Sequence, residues 1–444
     1  MASTRWRSVG STAGVKVAVM GVSGLIGIVT SRMIVTNFGV DAFAQYGLLT
    51  TLSALIPFAD LGLAAVVINA IAESKDPRRD PYVLRALTSA MRILVVSGFI
   101  ISSIAMLLYF SGLWRAILGD ALTPGAGELS AALCLVTFGV GVPLTVGQRI
   151  LVGLGKTTTQ VGVQAVVAPF MLLCVGTCVV LSLPAGDFLA IFSYLANVLV
   201  SVICLIISAR AIRPTLGKAI AAVPRTRAVP GVSVLQLAWP TLIQTISMAL
   251  SMQTDRILIS QLSTTMALAQ YNLAFQLFSI ALQTVSAAGV ALWPIFARAR
   301  SEKEIISPHR PVLWFLGGGL ALAVVMAALS PLLSWFVSDG LIQLPVGLVV
   351  AFVAFVIVQA LKYPLGMYMT DERGLKFQVI PTLLMIPTSI GISILLIPVW
   401  GAAGAITGSV IAVGLCQVLP YYRYVLMDIR RRRRRMRRRY RAAD

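Results

Sequence analysis

The sequence has one histidine, His309, in 444 residues. A lone imidazole leaves almost no material for His-based catalysis or for a histidine metal centre. Cysteine is also scarce. Cys134, Cys174, Cys178, Cys204 and Cys416 all lie inside apolar runs and read as small core residues. Cys174 and Cys178 are four apart with no second pair or histidine nearby, too little for a zinc site. Acid is the third shortage. Sixteen Asp and Glu stand against 36 Lys and Arg, and charged residues make up only 12% of the chain, about half the share usual in soluble proteins. No metal, no cofactor and no enzymatic activity are expected.

Apolar residues are abundant, at 58% of the chain with a mean hydropathy of +0.90. Twelve runs reach the roughly 20 residues that a membrane-spanning helix needs: 15–37, 45–70, 84–110, 129–151, 159–183, 187–209, 234–261, 267–297, 312–337, 343–367, 376–398 and 401–427. The first follows Arg5, Arg7 and Lys16 as a signal peptide would. Its apolar run is too long and no clear small-residue cleavage site follows, so it is read as a retained helix.

The net charge of +20 would suit a nucleic-acid binder if it were gathered on one surface. It is instead spread through short segments between spans, so no nucleic-acid partner is expected. With the N-terminus in the cytoplasm, the inner connections hold Lys75, Arg78, Arg79 and Arg85; Arg149 and Lys156; Arg210, Arg213, Lys218, Arg225 and Arg227; Arg298, Arg300, Lys303 and Arg310; and Lys362, Arg373 and Lys376. The outer connections hold only Arg115. This positive-inside pattern puts both termini on the cytoplasmic side of the cell (plasma or inner) membrane.

The chain repeats itself. "SRMIVTNFGVDAFAQYGLL" (Ser31 to Leu49) and "TDRILISQLSTTMALAQYNLA" (Thr254 to Ala274) each start near an arginine and reach Ala-Gln-Tyr-X-Leu. Arg32 to Ala44 is a step of 12 and Arg256 to Ala269 a step of 13. "ADLGLAAVVINAIAE" (Ala59 to Glu73) then lies over "AAGVALWPIFARARS" (Ala287 to Ser301). Helix 1 therefore matches helix 7, and helix 2 matches helix 8. Tyr46 and Tyr271, at the entry to the second helix of each half, are expected at the outer interface, where ring and hydroxyl suit the headgroup level. Six helices per half give two copies of the same orientation, related by an axis along the membrane normal, an arrangement in which transporters bind substrate between the halves. The expected architecture is an all-α integral membrane protein with twelve transmembrane helices in two pseudo-symmetric six-helix lobes around a central cavity. The lobes are residues 1–209 and 234–427, joined by a cytoplasmic linker at 210–233 rich in Pro and Arg, with an Arg-rich cytoplasmic tail at 428–444.

Four stretches carry a resemblance to a known family: "FGVDAFAQYGLL", "FADLGLAAVVINAIAE", "TDRILISQLSTTMALAQYNLA" and "LLIPVWGAAGAITGSVIA" (Leu395 to Ala412). In order and helix placement they resemble the Wzx-type polysaccharide flippases of the multidrug/oligosaccharidyl-lipid/polysaccharide exporter superfamily. The chain departs from that family at Asn69, where a basic residue is often found. The resemblance implies twelve helices in two lobes and transfer of a prenyl-pyrophosphate-linked oligosaccharide from the inner to the outer leaflet. Its implied partners are the anionic lipid-linked glycan, the lipid bilayer and envelope polysaccharide assembly enzymes.

Charges inside spans are costly and mark functional positions. The substrate-cavity candidates are Arg32, Arg256, Asp255, Gln253, Gln244 and Asp60. Two readings of Arg32 and Arg256 stand. Either their guanidinium forks face a cavity and take pyrophosphate oxygens, or they snorkel to the outer headgroups. Asp255 precedes Arg256, and neighbours on a helix do not face each other, so Asp255 contacts another helix. Asp60 either binds a coupling proton or cation or accepts hydrogen bonds at a helix contact. Asn37, Gln148, Asn197 and Gln359 are weaker candidates for lining the path. "GLGKTTTQ" (Gly153 to Gln160) lacks the first glycine of a phosphate-binding loop, that position being Ile150. "GAAGAITG" (Gly401 to Gly408) offers small residues for close helix packing. The tail has ten arginines between Arg430 and Arg441, and Arg431, Arg433, Arg435 and Arg438 are expected at the anionic inner membrane surface.

A multidrug or cation exporter of the same fold is the main alternative, and it calls for an acid-lined cavity. A polyprenyl-dependent membrane glycosyltransferase is the other. It needs a large outer loop, whereas the longest here is residues 111–128.

Overall fold

The computed structural model describes residues 2–55, 63–74, 76–224, 253–301, 307–370 and 372–441. Among them every regular element is helical. The chain forms two compact units, Met1–Ala249 and Leu250–Asp444.

In the first unit, α1 (Ala2–Leu49) is a pair of helices joined at Gly39, whose φ of 91° and ψ of 172° suit glycine and few other residues. α2 (Leu52–Leu55) and α3 (Leu63–Glu73) follow. Asp80 then caps α4 (Pro81–Phe110), accepting from the Tyr82 amide at 2.8 Å and the Ser74 hydroxyl at 2.6 Å. The Ser74 hydroxyl and the Tyr82 amide hold its carboxyl below the usual carboxylate range. α5 (Trp114–Leu118) lies in the connection to α6 (Ala126–Gly141), which continues through a tight turn at Val142–Thr145 into α7 (Val146–Gly153). α8 (Thr157–Gln164) and α9 (Val167–Val180) form one membrane-length rod. α10 (Leu189–Ala211) is followed by the short α11 (Thr215–Ala222).

In the second unit, α12 covers 253–262 and α13 runs from Thr265 to Ser301. α14 (His309–Ser338), α15 (Val346–Tyr368) and α16 (Glu372–Trp400) follow. α17 (Ala402–Val413) passes through a π-helical turn at Gly414–Val418 into α18 (Leu419–Arg441). The Arg-rich segment is thus the continuation of a spanning helix rather than a separate extension.

Among the described residues nine stretches are long and apolar enough to cross a membrane, making this a multi-pass membrane protein. They overlap the expected spans at 15–37, 84–110, 129–151, 159–183, 187–209, 312–337, 343–367, 376–398 and 401–427. The expected span 267–297 lies within α13. Those at 45–70 and 234–261 fall partly outside the described residues. The exposed surface carries Phe99, Phe110, Leu173, Val180, Trp314 and Leu395, each more than 65% exposed, as a lipid-facing wall requires.

Glycine sets the closest helix contacts. A Cβ on Gly98 of α4 would collide with the carbonyl oxygen of Gly139 on α6, and one on Gly139 would lie 2.6 Å from the Gly98 carbonyl oxygen. On α17, Cβ atoms at Gly404 and Gly408 would collide with the Leu396 carbonyl and the Ser393 side chain of α16. This is the close packing expected of "GAAGAITG". Gly98→Leu should destabilise the protein by about 1–3 kcal/mol, the usual cost of overpacking. A lowered melting temperature in detergent would register it, and an unchanged one would contradict the contact.

The first half of the expected 210–233 linker packs on the first unit. Arg92 on α4 donates from Nε to the Val223 carbonyl at 3.0 Å and from an Nη to the Ala222 carbonyl at 2.9 Å. Arg78 donates to the Ala211 carbonyl at 3.0 Å, and Thr215 donates to the Arg78 carbonyl. The Arg92 fork therefore satisfies carbonyls at the end of α11, Arg78 satisfies one at the end of α10, and the Thr215 hydroxyl ties the start of α11 to Arg78. Residues 225–233 lie outside the described residues.

Candidate functional site

The repeated stretches become two helical hairpins. The first turns at Gly39 and the second at Ser263 and Thr264. Arg32 lies seven residues before Gly39 and Arg256 seven before Ser263. Ala44 lies five after Gly39 and Ala269 five after Thr264. The single-residue difference in spacing is therefore the extra residue of the second turn, and the helical registers on either side agree. Tyr46 and Tyr271 are each seven residues past their turns, at the same depth as the arginines across the hairpin. At 1.5 Å per residue that depth is about 10 Å below the turn.

The two glutamines do matching work. Gln45 is 1% exposed, and its Oε1 accepts from the Thr123 amide at 2.8 Å and the Thr123 hydroxyl at 2.7 Å. Its Nε2 donates to the Asp187 carbonyl at 3.0 Å. Gln270 donates to the Gln343 carbonyl at 2.8 Å. Each ties the start of the second helix of its unit to the connection between the third and fourth.

The tyrosines differ from expectation. The sequence suits them to the headgroup level, but Tyr271 is 1% exposed and donates to Asp255 Oδ2 at 3.2 Å. Its ring packs with Phe275 and Phe352. Two turns of helix carry it past the interface into the interior of its unit. Tyr46 is half-buried, its hydroxyl 3.4 Å from that of Ser193 on α10.

Asp255 is 4% exposed, the one buried carboxylate among the described residues. Besides Tyr271 it accepts from the Ser409 hydroxyl at 3.0 Å, and Ser409 lies 3.1 Å from Ser389. One carboxylate thus links α12, α13, α17 and, through Ser409, α16. Burial of a carboxylate is tolerated only with such donors. Its counterpart in the first hairpin is the buried Ser31, so the duplicated halves have diverged here.

Arg256 points elsewhere. It is half-buried, with its guanidinium carbon 4.9 Å from the Phe275 ring centroid. The aromatic face favours the cation without neutralising it. Arg32 is half-buried in α1. Gln253 is half-buried on α12. Gln244 and Asp60 lie outside the described residues. Of the weaker candidates, Asn37 and Asn197 donate to carbonyls of their own helices, and Gln148 donates to Ser201 at 2.9 Å across α7 and α10. Gln359 is buried with an unpartnered Oε1. In the tail, Arg431 is exposed, while Arg433, Arg435 and Arg438 fall on the helical part of α18. Arg432 pairs with Asp428 at 2.7 Å, and Asp428 also accepts from Tyr368 at 2.8 Å.

Sequence reasoning missed three groups. Ser389 and Ser409 look like any hydroxyl in a small-residue helix until Asp255 meets Ser409, with Ser389 behind it. Lys362, expected in an inner connection, sits within α15, which continues through Pro364 to Tyr368. Its ammonium lies 4.9 Å from the Tyr363 ring centroid. Among the described residues no cluster of three or more His, Cys, Asp or Glu side chains forms a metal site.

The profile of a family described as "Polysaccharide biosynthesis protein" matches residues 6–300. No curated protein matches the sequence. Among solved structures, the chain is similar to an inward-facing multidrug resistance MATE family transporter of the MOP superfamily, with TM-score 0.71 and 15% identity over 95% of this chain and 99% of that one. It is also similar to the lipid II flippase MurJ in an inward closed conformation, with TM-score 0.64 and 10% identity over 94% of this chain and 89% of that one. An outward-facing MATE transporter of the same superfamily matches with TM-score 0.59 and 16% identity over 96% of each chain. At these identities the likeness is one of fold.

Proposed function

Since the chain belongs to the polysaccharide biosynthesis protein family, we propose that it is a flippase. It moves a polyprenyl-pyrophosphate-linked oligosaccharide, or a related cell-envelope glycolipid, from the inner to the outer leaflet by alternating access. One observation carries this reading beyond the family. The duplicated hairpins keep an arginine at one depth, seven residues from the turn, in both halves. A charge inside a membrane helix is costly and marks a functional position, and a guanidinium fork at each of them matches phosphate oxygens.

Asp255 is the coupling group in this reading. A buried carboxylate with two hydroxyl donors from separate helices changes its contacts when it gains or loses a proton or cation. That change would bias α12 and α13 against α17. The lobes comprise residues 1–209 and 234–427, with both termini facing the cytoplasm of a cell membrane. The arginines of α18 lie at its anionic inner surface. Envelope polysaccharide assembly enzymes are the natural partners.

The multidrug alternative shares the fold. It calls for an acid-lined path, and Asp255 is the only buried acid among the described residues. Reconstitution separates the two. Vesicles containing the protein should expose a lipid-linked oligosaccharide, loaded on one leaflet, to a sugar-oxidising reagent on the other side. If protein-containing and protein-free vesicles expose it at the same rate, while a cationic dye is exported, the drug-exporter reading replaces this one.

A further inference from the structure

Where α10 ends and α11 begins, the first unit has a cavity of about 550 Å³. Its walls include Ile206 and Ala209 on α10, and Pro214 and Gly217 at the start of α11. Arg210, Arg213 and Lys218 supply the remainder, and no acidic residue lines it. All three cations are exposed, and among the described residues none of their side chains has a hydrogen-bond or ion-pair partner. Two other basic residues on this side of the unit are engaged. Arg78 and Arg92 are committed to the carbonyls that pin α11.

Those pins matter because they fix the cavity. α11 buries Thr215, Leu216 and Ala219 and presents Gly217 and Lys218 outward. A side chain added at Gly217 would meet nothing within 4 Å, so the space beside the first turn of the helix is open. That turn adds amides and the positive end of a helix dipole to the three cations. Ile206, one turn back along α10 and 49% exposed, gives the cavity an apolar wall.

We propose that this cavity binds a phosphate-bearing lipid of the inner leaflet. The phosphate lies among Arg210, Arg213, Lys218 and the first turn of α11. The hydrocarbon chain runs along Ile206 into the bilayer. Three cations with no acid repel cationic and reject neutral headgroups, and a basic recess at the cytoplasmic end of spanning helices is a known form of lipid headgroup site. An anionic phospholipid and the polyprenyl pyrophosphate carrier share this chemistry. The site uses the orientation proposed above but not the identity of the transported glycan, and it is separate from Arg32, Arg256 and Asp255.

The test is hydrogen exchange of the full chain in nanodiscs, read on the peptide covering residues 206–222. Four conditions are compared: phosphatidylcholine alone, phosphatidylcholine with phosphatidylglycerol, phosphatidylcholine with a sugar-free polyprenyl pyrophosphate, and phosphatidylcholine with inorganic pyrophosphate in the buffer. At about 1 kcal/mol per basic residue, an anionic lipid should slow exchange in the first turn of α11 by at least about tenfold. Protection by phosphatidylglycerol identifies a resident phospholipid, and protection by the polyprenyl pyrophosphate alone identifies the carrier. The triple variant Arg210→Gln, Arg213→Gln, Lys218→Gln should lose the protection, while Arg210→Lys with Arg213→Lys keeps most of it. Gly217→Trp fills the cavity without changing charge and should also lose it. The proposal is overturned if neither lipid protects the peptide, if the triple variant and Gly217→Trp are both protected like the wild type, or if inorganic pyrophosphate protects as well as the lipids. Any of these results leaves the transport of a lipid-linked glycan standing, because the reconstitution assay does not depend on this site.

Discussion

Arg256→Ala, and separately Arg32→Ala, should each reduce lipid-linked oligosaccharide transport by at least about 100-fold, on the reasoning that a bidentate guanidinium–phosphate contact comprises two charged hydrogen bonds of about 1.5–3 kcal/mol each. The amount of protein in the membrane should not change. Arg256 gives up its contact with the Phe275 ring in the process, and such a contact is worth only about 0.5–2 kcal/mol. Lysine at either position should recover part of the activity, because it restores the charge but not the planar fork. Surface glycan in cells that depend on the variant is the readout. If both alanine variants sustain normal surface glycan, the arginines are interfacial anchors and the cavity reading of them fails.

Asp255→Asn should abolish gradient-driven transport while leaving the fold intact. The amide keeps an oxygen to accept from Tyr271 or Ser409, whose hydroxyls now reach Asp255 at 3.2 and 3.0 Å. It has no charge to gain or lose. Transport down the substrate's own gradient should therefore persist in vesicles, while acceleration by an imposed ion gradient disappears. Ser409→Ala removes one donor and should cost about 1–3 kcal/mol of stability, the penalty for leaving a buried group unsatisfied, with weaker coupling rather than none. Full gradient-driven transport by Asp255→Asn would remove the coupling role from this carboxylate.

Much of the architecture was legible in the sequence because a bilayer leaves so few options. Every spanning segment must satisfy its own backbone, so hydropathy alone marked the nine spans among the described residues. The duplication was legible as spelling, yet its one-residue mismatch made sense only once the turns were seen, one residue long at Gly39 and two at Ser263 and Thr264. The site was harder to read. Asp255 stood out as a charge in a span, but its partners Tyr271 and Ser409, and Ser389 behind Ser409, come from three other helices, and no sequence spacing connects them. Tyr271 was misread for a related reason. Tyrosine favours interfaces on average, and only its depth past the turn and the nearby carboxylate put it in the interior. The place of Lys362 within α15 was not legible because basic residues near a span end look alike, whether they lie in a connection, in a helix or, like Arg78 and Arg92, bind helix-end carbonyls.

The central claim is that this chain carries a lipid-linked glycan across the membrane. Depletion of the protein from its own cell, followed by leaflet-resolved analysis of lipid-linked sugars, tests it most directly. The account predicts that one polyprenyl-pyrophosphate-linked oligosaccharide accumulates on the inner leaflet while its outer-leaflet pool and the surface glycan fall together. Depletion that leaves every lipid-linked sugar at its normal level on both leaflets would contradict it.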